Sequence, residues 1–187
     1  MKGICLVCLL LVAAVACARK PQVSLPVYGE IPDFELTAET GKPFRGAELR
    51  GKIWIADFIF TNCPGPCPRM SSQMRLIQES LADVAELRLV SFTVDPERDS
   101  PEVLAAYARR YQAQPGRWIF LTGPMETLHR LSRDAFKVGD VDGSLNHSTH
   151  FVLVDQRGRI RAYYGTAEGL DLRKIRADVE ALRKEPA

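Results

Sequence analysis

Apolar and polar residues follow a period of two in some stretches and a helical period in others. The two kinds of stretch take turns along the chain. Ile31-Pro32-Asp33-Phe34-Glu35-Leu36 alternates as a half-buried strand does. Glu39-Thr40-Gly41-Lys42 reads as a turn and Pro43-Phe44 begins the return, which predicts a hairpin. Residues 53–60 are almost continuously apolar and β-rich, the pattern of a central strand covered on both faces. Asp57 interrupts that run. A carboxyl there needs a partner if it is buried, so an edge or a functional position stays open. Met70, Met74, Ile77 and Leu81 share one face of a helix that starts near Pro68. Residues 87–94 predict the next buried strand. Ser100-Pro101-Glu102 is a helix start, a hydroxyl cap followed by proline and an acid, for a helix running to about Tyr111. Residues 118–121 form a short strand, and residues 125–136 a helix with Leu128 and Leu131 inward. Two strands, 151–154 and 160–164, flank Asp155-Gln156-Arg157-Gly158-Arg159 as a second hairpin. Leu172, Ile175, Val179 and Leu182 define a closing amphipathic helix. The order hairpin, βαβαβα, hairpin, helix predicts an α/β domain whose central mixed sheet carries helices on both faces.

Before this domain lies a different pattern. Lys2 precedes an apolar run, residues 4–15, and Ala14-Val15-Ala16 fits a small-x-small cleavage site. The run is short against the roughly 20 residues of a membrane span. Cys17 follows Ala16 directly, as the acylated cysteine follows small residues in a bacterial lipobox, although Ala14 stands where leucine is usual. Lipidation at Cys17, simple secretion and a retained anchor are the three readings, the first preferred. All place the domain outside the cytosol, in the periplasm or cell envelope of a bacterium. The expected organisation is a signal or lipobox segment at 1–17, a tether at 18–30 and the folded domain at 31–187.

The 187 residues suffice for one domain with a sizeable core. A formal net charge of +2 without a long basic run gives no case for nucleic acid. Of the five cysteines, Cys5, Cys8 and Cys17 belong to the leader, so only Cys63 and Cys67 belong to the domain. One CxxxC pair is too few for a disulfide scaffold.

Cys63-Pro64-Gly65-Pro66-Cys67 joins the predicted central strand to the helix after it. Both sulfurs are thereby expected near a helix N-terminus, where the macrodipole and free N–H groups favour thiolate. Thiolates attack disulfides and bind soft metals. Two sulfurs alone bind copper weakly or form a disulfide, and a third ligand decides. His129 lies mid-helix and reads as a surface residue. His147 sits just before the strand at 149–154, and His150 falls on that strand's opposite face. The expected sheet order puts the start of this strand beside the end of the 53–60 strand, where His147 can approach the cysteines. Two thiolates and an imidazole suit Cu(I).

Phe60-Thr61-Asn62-Cys63-Pro64-Gly65-Pro66-Cys67-Pro68, then Val94-Asp95-Pro96-Glu97-Arg98-Asp99-Ser100-Pro101, then His147-Ser148 before an apolar strand, resemble the Sco/SenC family in order and spacing over about residues 32–182. The resemblance implies a thioredoxin-like fold carrying an extra hairpin. It also implies copper, as Cu(I) or Cu(II), held by both cysteines and the histidine, which by motif position are Cys63, Cys67 and His147. The associated role is copper delivery to the CuA centre of cytochrome c oxidase, or thiol reduction of that site. The CuA-bearing subunit is then the client, and a thioredoxin-like protein the reductant. The alternative is a thiol–disulfide oxidoreductase or redox sensor without copper delivery. A thioredoxin-type reductase carries CxxC and a cis-proline, but here no proline occurs between Pro124 and Pro186. A peroxiredoxin has threonine three residues before its reactive cysteine, and here that residue is Phe60. Asp95 reads either as part of a plain turn paired with Arg98, or as a group behind the ligands or a partner contact. Met70 and Met74 read as core.

Overall fold

Strand β4 (Ile53–Ile59) is buried along its whole length, as its unbroken apolar run requires. It lies inside a sheet made with β1 (Gly29–Glu30), β2 (Glu35–Ala38), β3 (Pro43–Arg45), β5 (Leu87–Thr93), β6 (Trp118–Thr122), β7 (His150–Val154) and β8 (Arg159–Gly165). The strand order is β1-β8-β7-β4-β5-β6-β2-β3. The structure, a computed structural model, describes residues 24–139, 149–167 and 169–185.

β4, β5 and β6 run parallel, joined through helices α1 (Cys67–Ser80) and α2 (Pro101–Arg110). Two successive crossovers in the same direction place both helices on one face of the sheet, given the right-handed rule. That face carries Ile55, Asp57, Ile59, Ser91, Thr93, Trp118 and Phe120, matched by the register Asp57↔Ser91 and Ser91↔Phe120. α4 (Leu172–Arg183) joins them there, with Asp178 accepting from Tyr164 Oη at 2.8 Å. On the opposite face Phe136 packs edge-on against Trp54 and Phe58, with ring centroids 5.8 and 5.3 Å apart. The thioredoxin-like mixed sheet with helices on both faces is therefore present, and β2–β3 is the extra hairpin on its edge.

Three local expectations change. The first strand of the expected hairpin, β2, begins at Glu35 rather than Ile31. Pro32 cannot donate to a ladder, and Ile31 N–H instead donates to Gly158 O at 2.8 Å, on the far edge of the sheet. The chain then crosses under the sheet, with Phe34 edge-on to Phe92, before starting β2. The helix expected over residues 125–136 is α-helical only as α3 (Met125–Arg130). The next turn, Leu131–Ala135, widens to i→i−5 bonding, with Phe136 N–H donating to Leu131 O. The wider turn delivers the Phe136 ring to the core.

Of the segment expected as a tether at residues 18–30, the described part, residues 24–30, lies against the domain. Gly29–Glu30 pairs with β8, and Arg161 donates to Leu25 O at 2.6 Å and Pro26 O at 3.1 Å. From Ser24 onward the segment is docked on the domain. The β7–β8 hairpin turns as its Asp-x-x-Gly sequence predicts: Gly158, at φ +81°, donates to Asp155 O. Residues 1–23, and with them Cys17 and the proposed leader, lie outside the described residues. No helix among the described residues is long and apolar enough to cross a membrane.

Candidate metal and dithiol centre

The site is built where the central strand ends. After β4 the chain turns through Thr61 and Asn62, and Cys63 N–H donates back to Phe60 O at 3.3 Å. Pro64, Pro66 and Pro68 restrict the backbone around the cysteines. Pro66 occupies the cap position, and α1 begins at Cys67, one residue after it. Proline fits a helix's first turn because that turn lacks intrahelical N–H partners anyway. Cys63 and Cys67 are not joined by a disulfide, and both are buried. They differ in access: Cys63 is 9% exposed and Cys67 fully enclosed. Cys63 Sγ accepts the Gly65 N–H at 3.3 Å.

The expectation that the helix N-terminus favours thiolate at both sulfurs needs correction at Cys67. Burial, the largest influence, holds the Cys67 thiol far above its ordinary range. A hydrogen bond to the Phe60 backbone offsets this in part, while neighbouring Cys63 and the Asp57 carboxyl push in the same direction as burial. Without a metal or a reaction partner, Cys67 is a protonated thiol. Desolvation here outweighs a helix-end effect that is strongest at exposed or electropositive sites.

The turn before Cys63 is tied down from behind by Asp99. Its buried carboxylate accepts from Thr61 N–H at 3.1 Å and Thr61 Oγ1 at 2.5 Å, and from Thr93 Oγ1 at 2.5 Å. Asp99 thus staples the end of β4 to the end of β5. The residue singled out from the sequence, Asp95, is also buried, but its carboxylate is engaged by Arg98 Nη1 at 2.8 Å. Asp95 N–H donates to Thr93 Oγ1, so it supports the cysteine turn only through Thr93 and Asp99. The sequence signal for Asp99 was present, since it closes the Asp95-Pro96-Glu97-Arg98-Asp99 stretch, but local pairing made Arg98 and Asp95 the visible couple.

His147 lies outside the described residues. The strand that follows it is described: β7 starts at His150 and runs antiparallel to β4, with Ala56 opposite Val152. This register places the start of β7 at the end of β4 from which the cysteine loop departs, as expected. His150 itself is exposed, and His129 lies on α3 with Nε2 3.4 Å from Arg133 Nη1. Among the described residues no three His, Cys, Asp or Glu side chains converge as a metal site. Met70 and Met74 are wholly buried in the core, and there is no cis peptide bond among the described residues. Asp57 is neither at an edge nor exposed: it is fully buried at the middle of the sheet.

A buried dithiol at the junction of a central strand and its following helix, in a sheet of this topology, defines a thioredoxin-like dithiol protein. The family is then settled by comparison. Residues 27–184 match the SCO1/SenC family model, and the chain belongs to that family. It is similar in structure to a SCO1/SenC family lipoprotein from Bacillus anthracis str. Ames, at 33% identity and TM-score 0.77, covering 83% of this chain and 96% of that one. It is also similar to BsSco, described as having a disulfide switch and as a member of the Sco family of cytochrome c oxidase assembly proteins. That match has 30% identity and TM-score 0.77, over 87% of this chain and 99% of the other. Yeast Sco1 with copper bound matches at 26% identity and TM-score 0.69, over 86% and 91%.

Proposed function

We propose that this protein carries copper in the bacterial cell envelope, binding it as cargo through Cys63, Cys67 and His147. The observation that carries the reading is the pair of buried, unbridged cysteines held in a proline-stiffened loop on a stapled strand end. Soft sulfur donors so placed suit copper, and a copper-bound relative supports that choice. The antiparallel register of β7 on β4 brings the strand behind His147 to the same end of the sheet, which supports the histidine as third ligand. Two thiolates leave the site neutral with Cu(II) and singly negative with Cu(I). A three-coordinate site can accept an incoming ligand, so copper passes to a client by ligand exchange. The client class is the CuA-bearing subunit of cytochrome c oxidase, a reading that the oxidase-assembly description of BsSco favours. Cys17 is the lipidation candidate, in line with the lipoprotein relative.

The test is copper titration of the reduced full chain in a Cys5→Ser, Cys8→Ser, Cys17→Ser background, so that only two thiols are left. The expected result is stoichiometric binding with thiolate-to-Cu(II) charge-transfer absorption. Tight binding is lost in Cys63→Ala, Cys67→Ala and His147→Ala. Wild-type affinity in His147→Ala overturns the three-ligand site.

A second reading, thiol–disulfide exchange with a client or reductant, is favoured by the unequal access of the two sulfurs. Oxidation to a Cys63–Cys67 disulfide expels the metal, so the two roles share one dithiol. Exchange requires both cysteines but not the histidine. Disulfide turnover by His147→Ala at the wild-type rate supports this second role, and parallel loss of turnover and copper binding argues against it.

A further inference from the structure

The end of the sheet opposite the cysteine loop gathers arginines around one short connection, residues 81–86, between α1 and β5. Arg88 Nη1 donates to Ala85 O at 2.8 Å and Leu87 O at 2.9 Å, and Arg117 Nη2 donates to Leu81 O at 2.5 Å. Arg176 holds both oxygens of Asp83, at 3.0 and 2.9 Å, and Arg183 Nε meets Glu86 at 2.5 Å. Both carboxylates of the connection are thus taken by arginines of α4. Arg88 and Arg117 hydrogen-bond to backbone carbonyls alone. They are also neighbours: each stands one position before Leu89 and Trp118, which pair across β5 and β6. Like charges side by side on neighbouring strands repel. Burial, and next the Arg88 charge, push the Arg117 guanidinium below its ordinary range, with Asp83 opposing them. One cation suits the open carbonyls at the C-terminus of α1, and the second has no such account. Arg117 Nε is buried with no hydrogen-bond partner among the described residues. The pair therefore holds donors and positive charge in excess of what the chain around it uses.

The same end carries the point from which the N-terminal segment departs. Ser24 Oγ donates to Glu185 Oε1 at 3.3 Å, and Glu185 lies two residues beyond the Arg183 that meets Glu86. Cys17 precedes Ser24 by seven residues, a reach of about 25 Å at full extension. Arg19 and Lys20 fall within that span. A chain anchored at Cys17 therefore has this end of the domain within reach of bilayer headgroups. The cysteine loop leaves the other end of β4. From Trp54, which lies opposite Arg88, to Phe60 the strand covers about 20 Å.

We propose that Arg88 and Arg117 form a docking surface for anionic phospholipid, which seats this end of the domain on the bilayer and turns the cysteine loop away from it. This rests on lipidation at Cys17, the candidate named above. A guanidinium suits the phosphodiester of a headgroup, because its planar fork of donors matches phosphate oxygens and its charge persists at every working pH. Each arginine close to an anionic surface strengthens binding by about fivefold. Arg19 and Lys20 add two positive charges to the connecting span. Charges are screened beyond about 8 Å at physiological ionic strength, so the attraction acts only when the arginines lie against the headgroups. The tether keeps them near enough for that contact. A domain docked in this way holds its dithiol about 20 Å off the membrane surface. It thereby faces copper acceptors that stand clear of the headgroups.

The test uses the full chain, expressed in a bacterium, fractionated, and added to vesicles of phosphatidylcholine alone or mixed with phosphatidylglycerol. Amide hydrogen exchange is followed by mass spectrometry. On the mixed vesicles, exchange over residues 81–88 and 111–117 is expected to slow by about fivefold or more, the weight of a single arginine at an anionic surface. Exchange over residues 61–67 and 95–99 does not change. Phosphatidylcholine alone slows neither region. The protection is lost in the double variant Arg88→Gln, Arg117→Gln. High salt abolishes it in the parent, which tests the charges without any substitution. Equal protection on both vesicle types, protection by inorganic phosphate without vesicles, or shielding of the cysteine loop instead overturns the lipid docking. Protection that survives high salt or the double variant overturns the role of the arginines. An unacylated chain recovered in the soluble fraction overturns lipidation at Cys17, and the comparison of the two vesicle types still decides the docking.

Discussion

At the scale of single residues, Asp57 and Asp99 are two buried acids with opposite accounts. Asp99 accepts from three protein donors, whereas Asp57 has one oxygen without a hydrogen-bond partner among the described residues. The consequence for Asp57 is a pH-dependent stability with a definite sign. Its folded-state carboxyl, at about 7, lies above the unfolded value of 3.8. Between those values the folded state holds a proton that the unfolded state has lost, so stability falls as pH rises from about 4 to about 7 and then levels. Asp57→Asn removes this slope. At pH 8 the variant is expected to be more stable than the parent by an amount on the order of a few kcal/mol, shrinking towards pH 4. Denaturant unfolding at several pH values checks it, and equal slopes in both proteins refute it. A group that costs stability where it stands is a reasonable place to look for function.

Secondary-structure elements meet at the cysteine loop through Asp99, which joins the ends of two parallel strands that no turn connects. Asp99→Ala leaves the Thr61 N–H and the Thr61 and Thr93 hydroxyls without their acceptor. Each buried group left unpaired costs about 1–3 kcal/mol, so a large drop in the unfolding midpoint is expected. Copper affinity falls with it, because the loop no longer holds its sulfurs in place. Asp95→Ala, which loses the pair with exposed Arg98, is expected to cost far less, since such pairs contribute roughly 0–1 kcal/mol. Equal losses in the two variants would refute the distinction. The cap of α2 is a simpler case. Ser100 Oγ accepts from Val103 N–H, and Ser100→Ala is expected to cost about 1 kcal/mol with copper binding unchanged.

The whole molecule is closed at one edge by Arg161. This guanidinium, 1% exposed, bonds Asp155 at the β7–β8 turn, Glu185 beyond α4, and the backbone of Leu25 and Pro26. It therefore holds three remote parts of the chain, and it fixes where the N-terminal segment leaves the domain. Arg161→Ala removes a buried cation from Asp155 and Glu185, although Arg159 stays beside both. Breaking a buried pair costs about 3–5 kcal/mol. Limited proteolysis is expected to open the chain near Ser24 in the variant well before the rest of the domain is cut. Uniform cleavage rates along both proteins would argue against a clasp.

Much of this protein is legible without its structure, because local patterns specify local outcomes. The continuous apolar run of residues 53–60 can only be satisfied inside a sheet, and Ser100-Pro101-Glu102 marks a helix start by capping chemistry alone. The CxxxC loop declares soft-ligand or thiol chemistry from residue type and spacing. What tertiary structure decided concerns groups whose partners are far away in sequence. Asp57 was ambiguous until β5 supplied Ser91 from a distant segment. Asp99, rather than Asp95, supports the site because strand pairing brings Thr61 and Thr93 together. Burial, which no dipeptide pattern reports, keeps Cys67 protonated where helix position alone predicts thiolate. The wide turn at Leu131–Ala135 and the docking of residues 24–30 likewise follow from contacts across the sheet. Periodicity and caps act within a few residues, whereas desolvation and long-range hydrogen bonds exist only once the chain has closed on itself.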